Sequence, residues 1–300
     1  MATLTVVIPA TDAPSTLGHA VAAVERAENG PEEVIVVDRP REIGPAAARN
    51  RGAARATQDV LVFIDADVEV HEDTFTLIRR AFDDDPTLAA VFGSYDDAPR
   101  PAGVVSDFRN LLHHHVHHEG EGPATTFWAG LGAVRRGVFC RLDGFDEDFR
   151  RPSVEDIELG MRLSAAGARL RLDPAIQGKH LKRWTFRSMV KTDLLDRGVP
   201  WLLLVFRRRS SSTALNLGWS NRIATAASLV FVVALVRRNA RMTAAMGALL
   251  FILDRRFYAL LARRGGPRLV VAGFPLHITH RVTATAALPI AFTNLLLRRS

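Results

Sequence analysis

The chain has 300 residues, of which 48% are hydrophobic, and it contains a single cysteine, Cys140. This length allows one large domain or two modest ones, and one cysteine excludes both a disulfide framework and a cysteine-based zinc site, which fits a reducing compartment. The N-terminal MATLTVVIPA lacks a basic segment followed by a long apolar run, so we expect a first strand there and no cleavable signal peptide.

The net charge of +7 is unevenly distributed. Residues 201–300 contain 15 arginines and one acid, Asp254, a net charge of +14, whereas residues 1–200 carry −7. A basic, apolar tail indicates an anionic membrane surface or nucleic acid as partner. The apolar blocks between the arginine clusters favour a membrane, and the absence of basic strands interleaved with aromatics argues against nucleic acid.

Apolar runs and helix-spaced segments alternate through the first hundred residues. The spacing predicts strands and helices in turn, the first helix with Ser15 as its N-cap. The strands are predicted over 4–9, 33–38, 60–64 and 89–95, and the helices over 15–28, 45–57 and 71–84. This alternation is typical of βαβ units, so we expect an α/β fold with a mostly parallel sheet flanked by helices.

Carboxylates follow two of these strands. Asp38 ends the second strand, and the buried run VLVFI is followed at once by Asp65-Ala66-Asp67. An aspartate after a strand is often only a turn former or helix cap. Two like charges one residue apart repel, however, unless a cation or donors lie between them, and ligands of open α/β sheets bind beyond the carboxyl ends of the strands. Since Mg²⁺ and Mn²⁺ prefer carboxylate and phosphate oxygens, the pattern indicates a metal–diphosphate site.

A second group of polar residues lies between positions 124 and 184. The spacing predicts a helix over 154–166 with Ser153 as N-cap, so Glu155 and Asp156 are either first-turn acids that complement the helix dipole or functional carboxylates. His180 follows a predicted strand over 169–172 and becomes a ligand candidate only beside a carboxylate pair that needs another metal ligand.

Seven segments, in this order, resemble a family 2 glycosyltransferase over roughly residues 3–190. They are VVIPATDAPSTL, EVIVVDRP, GPAAARNRGAARATQDVLVFIDADVEV, FWAGLGAVRRGVF, LDGFDEDF, PSVEDIELGMRLSAAG and GKHLKRW. The resemblance implies a GT-A nucleotide-diphosphosugar transferase fold. It implies a catalytic domain over 1–200, followed by an apolar helical region over 201–300 that associates with a membrane.

The resemblance also implies a role for each matching residue. Nucleotide-sugar contacts are expected from Pro9, Asp38, Arg49 and Asp65. A divalent metal, manganese or magnesium, is expected on Asp67 and His180, and the acceptor and donor sugars are expected to meet at Trp128 and Gly130. In the Glu155-Asp156 pair, Asp156 is expected to be the general base that deprotonates an acceptor hydroxyl.

Two positions depart from the pattern of the family. Ala13 and Arg39 stand where the family often has acids, and Asp12 is a candidate replacement for the first of them. Both positions lie near the expected nucleotide, so the identity of the base stays open.

The implied activity is metal-dependent, inverting transfer of a sugar from a nucleoside-diphosphate sugar to a hydroxyl of a lipid-linked or cell-envelope acceptor. A processive polysaccharide synthase is an alternative suggested by Lys182-Arg183-Trp184, although Gln177 lies too far upstream to complete a Q-x-x-R-W motif. A metal-dependent nucleotidyltransferase and a non-enzymatic membrane scaffold are the alternatives outside this class. The histidine run over 113–118 is interpreted as a polar face beside the acceptor channel rather than as a metal site.

The tail contains four uncharged segments. They span 223–236, 242–253, 269–279 and 282–297, the last two separated by His280-Arg281. None reaches the ~18 residues of a secure spanning helix, although the first, counted from Leu215, is long enough to span. Interfacial or re-entrant helices and a buried helical subdomain are the alternatives. Arginine-rich short loops favour an inner-membrane location with the catalytic domain on the cytoplasmic side.

Overall fold

The computed structural model describes residues 1–41, 43–208 and 219–297. Within them the chain divides into two compact units, one made of Met1–Pro101 and His117–Lys182, the other of Ala102–Val116 and Arg183–Ser300. The second unit therefore begins before residue 200 and includes an earlier segment. The reason is that Phe108 and Met189 share one apolar core with Phe257.

The first unit is built on an eight-stranded sheet in the order β2-β1-β3-β7-β5-β8-β4, with β6 paired to β8. The strands are β1 (Leu4–Pro9), β2 (Glu33–Val37), β3 (Val60–Ile64), β4 (Val68–Val70), β5 (Leu88–Tyr95), β6 (Gly122–Ala124), β7 (Leu131–Arg135) and β8 (Arg169–His180). The β1–β2, β1–β3 and β5–β8 pairs are parallel. The strands β4, β6 and β7 pair antiparallel to their neighbours, so the other five run in one direction.

Six helices accompany the sheet along the chain. They are α1 (Leu17–Arg26), α2 (Pro45–Arg55), α3 (Thr74–Asp84), α4 (Val104–Glu119), α5 (Arg136–Arg141) and α6 (Glu155–Ala165). The predicted alternation of strands and helices is present, but the predicted caps are not. Helix α1 begins after Thr16 and α6 after Val154, and neither residue makes a side-chain capping hydrogen bond.

Every residue of β3 is fully buried, as expected for a strand covered on both faces. Its neighbours β1 and β7 supply the same apolar core. Because five strands run the same way, Asp38, Asp65 and His180, which follow or end three of them, lie at one edge of the sheet. The antiparallel strands β4 and β7 begin at that edge, which brings Asp67 and Gly130 there.

The second unit is helical apart from its connections. It includes the part of α4 before His117. Its other elements are α7 (Phe186–Lys191), a π-helical turn (Thr192–Gly198), α8 (Val199–Arg208), α9 (Trp219–Val236), α10 (Ala240–Leu253) and α11 (Arg255–Leu297). The helix α11 is broken at Gly266, whose φ of 65° lies in the left-handed region, so 255–265 and 267–297 are two helical segments.

The helix continues through His280-Arg281, the pair that separates the last two uncharged segments of the sequence. Both side chains have acidic partners inside the unit. Arg281 donates two hydrogen bonds of 2.7 Å to Asp254, and His280 lies 2.8 Å from Asp193, which also accepts from Arg109 at 2.9 Å. The only acid of the last hundred residues therefore neutralises a buried arginine, since an unpaired buried charge would be strongly destabilising.

Among the described residues, one helix, α9, is long and apolar enough to cross a membrane, judged by its length and composition. It has 18 residues with a mean hydropathy of 1.5, and 22% of them are buried. Helix α10 is apolar but shorter. The expected extension of the first segment back to Leu215 lies outside the described residues.

Candidate active site

The turn after β3 brings the two strand-end aspartates to the edge of the sheet. The Asp65 amide donates to the Gly130 carbonyl at 3.0 Å, and the Asp67 carbonyl accepts from the Leu181 amide at 2.8 Å. Burial raises the pKa of Asp65, and the charge of Asp67 adds to this effect while Arg49 opposes it. Burial acts on Asp67 too, but His180 and Lys182 outweigh it and lower its pKa. The lowered pKa of Asp67 keeps its side chain a carboxylate next to His180.

The imidazole of His180 faces Asp67 across two paired strands. Val68 of β4 pairs with His180 of β8, and the His180 Nε2 lies 3.6 Å from the Asp67 Oδ2. One ion can contact both atoms, because ligand bonds of about 2.1 Å allow separations up to about 4.2 Å. No group of three or more potential metal-ligating side chains occurs among the described residues. The donor set fits a divalent ion whose other ligands are phosphate oxygens and water.

Arg49 joins Asp65 to the start of α6. Its guanidinium donates to Asp65 Oδ1 at 2.7 Å and to Glu155 Oε1 at 3.0 Å, and only 4% of the residue is exposed. The second oxygen of Glu155 accepts from the Ser153 amide at 2.8 Å. Arg49 was expected to hold the nucleotide and Glu155 to act in catalysis. The structure places both in one buried ion-pair network, where they fix the positions of Asp65 and the start of α6.

Asp156 lies in the first turn of α6 and is partly exposed. Its Oδ2 accepts from the Ala129 amide at 3.2 Å, so the start of the helix is bonded to the segment that contains Trp128 and Gly130. This close approach requires Gly160, because a Cβ there would lie 2.1 Å from the Phe127 nitrogen. The helix α6 and the loop before β7 are therefore held together on the side that carries Asp156.

Four rings form a continuous series beside the Asp67–His180 pair. Tyr95 stacks on His180 with centroids 4.1 Å apart and planes 12° from parallel. Trp128 meets Tyr95 edge-on at 4.9 Å, and His117 meets Trp128 edge-on at 5.2 Å. Sequence reasoning missed Tyr95 and His117. Two signals were available in the sequence. Tyr95 ends a predicted strand, and helical periodicity places one histidine of the run over 113–118 on the buried side of its helix.

The histidine run forms the C-terminal half of α4. His117 is buried, and its Nδ1 lies 2.8 Å from the Gly93 carbonyl, while the Nε2 of His118 lies 3.5 Å from the Nε2 of Gln177. Within the described parts of the chain these histidines belong to no potential metal cluster. At least one member of the run is thus a packing residue of the sheet unit.

The remaining predicted donor-side residues lie at the same edge of the sheet, at its β2–β1 end. Pro9 is the last residue of β1 and pairs with Val37, the last residue of β2. The exposed Asp38 directly follows Val37. The Ala10 amide donates to the Val37 carbonyl at 2.9 Å, which closes this end of the β1–β2 pair. Pro9 and Asp38 thus lie beside each other at the carboxyl ends of β1 and β2, and their contacts with a nucleotide stay a prediction.

The loop before α6 is fixed by two polar side chains. Asn50 of α2 exchanges hydrogen bonds of 2.8 Å with the backbone nitrogen and oxygen of Phe145. Arg162 forms an i,i+4 ion pair with Glu158 at 2.7 Å, and it also donates to the carbonyls of Leu142 and Gly144. The segment LDGFDEDF is therefore attached to α2 on one side and to α6 on the other.

This sheet, with carboxylates at its strand ends and a histidine facing them, has the GT-A-type fold of nucleotide-diphosphosugar transferases. Residues 11–143 match the family described as glycosyl transferase family 2. The predicted fold class and the predicted resemblance to this family are both confirmed.

Two curated relatives are the pre-mycofactocin glycosyltransferases of two strains of Mycobacterium tuberculosis, each 31% identical over 170 residues. The match covers 53% of this chain and 34% of each relative, so this chain spans about one third of the length of these proteins. A mannosyltransferase from Pyrobaculum calidifontis, solved in complex with GDP-Man and Mn²⁺, has a TM-score of 0.55 and 16% identity over 97% of this chain and 87% of that one. At this identity the likeness shows the fold.

Proposed function

We propose that this chain is a metal-dependent, inverting glycosyltransferase that moves a sugar from a nucleoside-diphosphate sugar to a hydroxyl group of a lipid-linked or cell-envelope acceptor. The observation that carries the proposal is the Asp67–His180 pair at the carboxyl edge of the sheet, 3.6 Å apart and next to Asp65. Its support from comparison is the family 2 domain over residues 11–143 and a structural relative solved with GDP-Man and Mn²⁺.

On the donor side, Asp67 and His180 would hold a divalent ion, manganese or magnesium, whose charge stabilises the leaving diphosphate. Asp65 lies two residues away and is oriented by Arg49. We assign Pro9, Asp38 and Asp65 to the nucleoside portion, because all three lie at one edge of the sheet. The role of Arg49 in donor binding is then indirect, through Asp65.

On the acceptor side, Asp156 is the proposed general base. Its carboxylate takes the proton of the acceptor hydroxyl while that oxygen bonds to the anomeric carbon and the bond to the diphosphate breaks. Attack opposite the leaving group inverts the anomeric centre. Trp128 and Gly130 flank Ala129, whose amide bonds Asp156, so we assign them to the place where the two sugars meet.

Calorimetric titration with UDP-, GDP- and dTDP-sugars, each with Mn²⁺ or Mg²⁺, tests the donor site. We expect one donor to bind in a metal-dependent manner and Asp67→Asn to weaken that binding by about 10-fold or more, because the substitution removes a charged ligand. The matched control is Asp84→Asn, an exposed aspartate at the end of α3, which we expect to bind the donor as the wild type does.

A folded wild-type protein that binds none of these donors with either metal would contradict the proposal. Equal affinities for the wild type and Asp67→Asn would remove Asp67 from the metal site. The absence of donor binding would favour a scaffold function for the chain over sugar transfer.

We also propose that the helical unit associates with the inner membrane, with the sheet unit on the cytoplasmic side. Helix α9 exposes large apolar side chains, among them Val233 at 54% and Val236 at 77%. The tail carries a net charge of +14, which suits an anionic lipid surface. An acceptor anchored in the same membrane would then be held near the enzyme, which is the reason for proposing a lipid-linked acceptor.

Vesicle flotation of the full chain tests this association. We expect it to float with vesicles that contain phosphatidylglycerol, and Val233→Glu to reduce the bound fraction, since a charge on the lipid-facing side of a helix is costly. Val34→Glu, at an exposed valine of β2, is the matched control and should float as the wild type does. Full-length protein that stays unbound, or that responds equally to both substitutions, would contradict a membrane-bound tail.

A further inference from the structure

We infer that Tyr95 is a positioning residue for the proposed metal site, and that it acts by holding the imidazole plane of His180. This inference rests on the proposed function, because it assigns His180 to the metal. Tyr95 ends β5 and pairs in register with Gly178 of β8, two residues before His180. The two rings are nearly parallel, 12° apart, with centroids 4.1 Å apart.

The backbone alone does not fix the imidazole. The β4–β8 pairing and the hydrogen bond from the Leu181 amide to the Asp67 carbonyl set the main chain on both sides of the site. The side-chain torsion that turns the ring of a histidine is broad, however, so the plane must be set by the groups that pack on it. The face of Tyr95 covers that ring, and only 5% of His180 and 8% of Tyr95 are exposed.

Tyr95 is itself held by the rest of the ring series. Trp128 meets it edge-on, an arrangement that aromatic quadrupoles favour. Trp128 is confined by Gly130, where a Cβ would lie 2.4 Å from the indole, and by the buried His117. His117 is anchored through its Nδ1, 2.8 Å from the Gly93 carbonyl of the same strand as Tyr95. The series therefore starts and ends on backbone of the sheet, which makes the position of Tyr95 stiff.

Residues that orient metal ligands matter nearly as much as the ligands, and losing one typically costs about 10–100-fold in metal affinity. We therefore expect Tyr95→Leu to weaken Mn²⁺ binding by about 10-fold or more. Tyr95→Phe keeps the stacked face and should stay within about 2-fold of the wild type. Nothing in this expectation requires the Tyr95 hydroxyl.

The test is a titration of the full chain with Mn²⁺, alone and with UDP or GDP, monitored by the electron paramagnetic resonance signal of the free ion. His180→Ala is measured beside Tyr95→Leu and Tyr95→Phe. Phe82→Leu is the matched control, because Phe82 is a buried ring of the same unit that packs on Arg135. Thermal unfolding of each metal-free variant shows whether it is folded.

The outcomes separate this inference from the proposed function. If the wild type binds no Mn²⁺, or if His180→Ala binds it normally, the proposed metal site fails and the role of Tyr95 fails with it. If His180→Ala weakens binding and Tyr95→Leu does not, only the inference about Tyr95 is overturned. Equal losses in Tyr95→Leu and Phe82→Leu would mean a general loosening of the core, which also overturns it. Selective loss in Tyr95→Leu, with Tyr95→Phe retained, supports it.

Discussion

Replacing Asp156 with asparagine is expected to slow sugar transfer by about 10²–10⁴-fold and to leave donor affinity within about 2-fold of the wild type. The amide oxygen of asparagine can still accept from the Ala129 amide, as the Asp156 Oδ2 does at 3.2 Å, so the start of α6 should keep its place. Asparagine lacks the ability to take the proton of an acceptor hydroxyl. The loss should therefore fall on the chemical step rather than on binding.

The measurement is the rate of nucleoside diphosphate release with the donor found by calorimetry and a membrane lipid extract as the source of acceptor. Glu158→Gln is the matched control, since it removes a carboxylate from the first turn of the same helix. Glu158 is occupied by Arg162, so this variant should lose stability but retain the rate at a temperature where it is folded. A rate for Asp156→Asn near that of the wild type would remove Asp156 from the general-base role.

The strand-end carboxylates could be predicted because they depend on local patterns. A run of five apolar residues marks β3, and the residues directly after a strand of a βαβ unit must lie at the carboxyl edge of the sheet. From the same patterns, however, β7 could not be placed between β3 and β5 with the opposite direction. That insertion depends on pairings between distant segments, such as Val62 with Ala133, which no local spacing encodes.

The roles of individual site residues were harder to predict than their presence. Arg49 stands 16 residues from Asp65 and 106 from Glu155, so nothing in the sequence shows that one guanidinium serves both. The same limit applies to His280-Arg281. Their acidic partners lie 87 and 27 residues away, so nothing local in the sequence shows that both side chains are paired. The break at Gly266 had a local signal, because Gly265-Gly266-Pro267 combines a residue that tolerates positive φ with one that disfavours a preceding helix.

Replacing Arg49 with methionine is expected to destabilise the sheet unit by about 3–5 kcal/mol, because the substitution leaves the buried Glu155 and the half-buried Asp65 carboxylates without their shared cation. The guanidinium lies 2.7 Å from Asp65 and 3.0 Å from Glu155, and the side chains of Arg49 and Glu155 are each 5% exposed. Arg49→Lys should lose less, since it keeps the charge but one amine cannot reproduce the planar fork between two carboxylates. Arg51→Met, at an exposed position of the same helix, should change the free energy of unfolding by no more than about 0.5 kcal/mol.

The dependence of this loss on pH tests its electrostatic origin. Burial raises the pKa of Asp65 in the folded protein, although Arg49 opposes the shift. A raised pKa means that the Asp65 contribution to stability is fully present below its unfolded pKa. This contribution is lost as pH rises through the folded pKa. Without Arg49 the folded pKa rises further, and the destabilisation by Arg49→Met should be larger at about pH 8 than at about pH 5. Urea unfolding at the two pH values measures the difference. A loss of equal size at both would mean that Arg49 stabilises the unit mainly by packing, for instance against the Phe145 ring 5.4 Å from its guanidinium, rather than by neutralising the carboxylates.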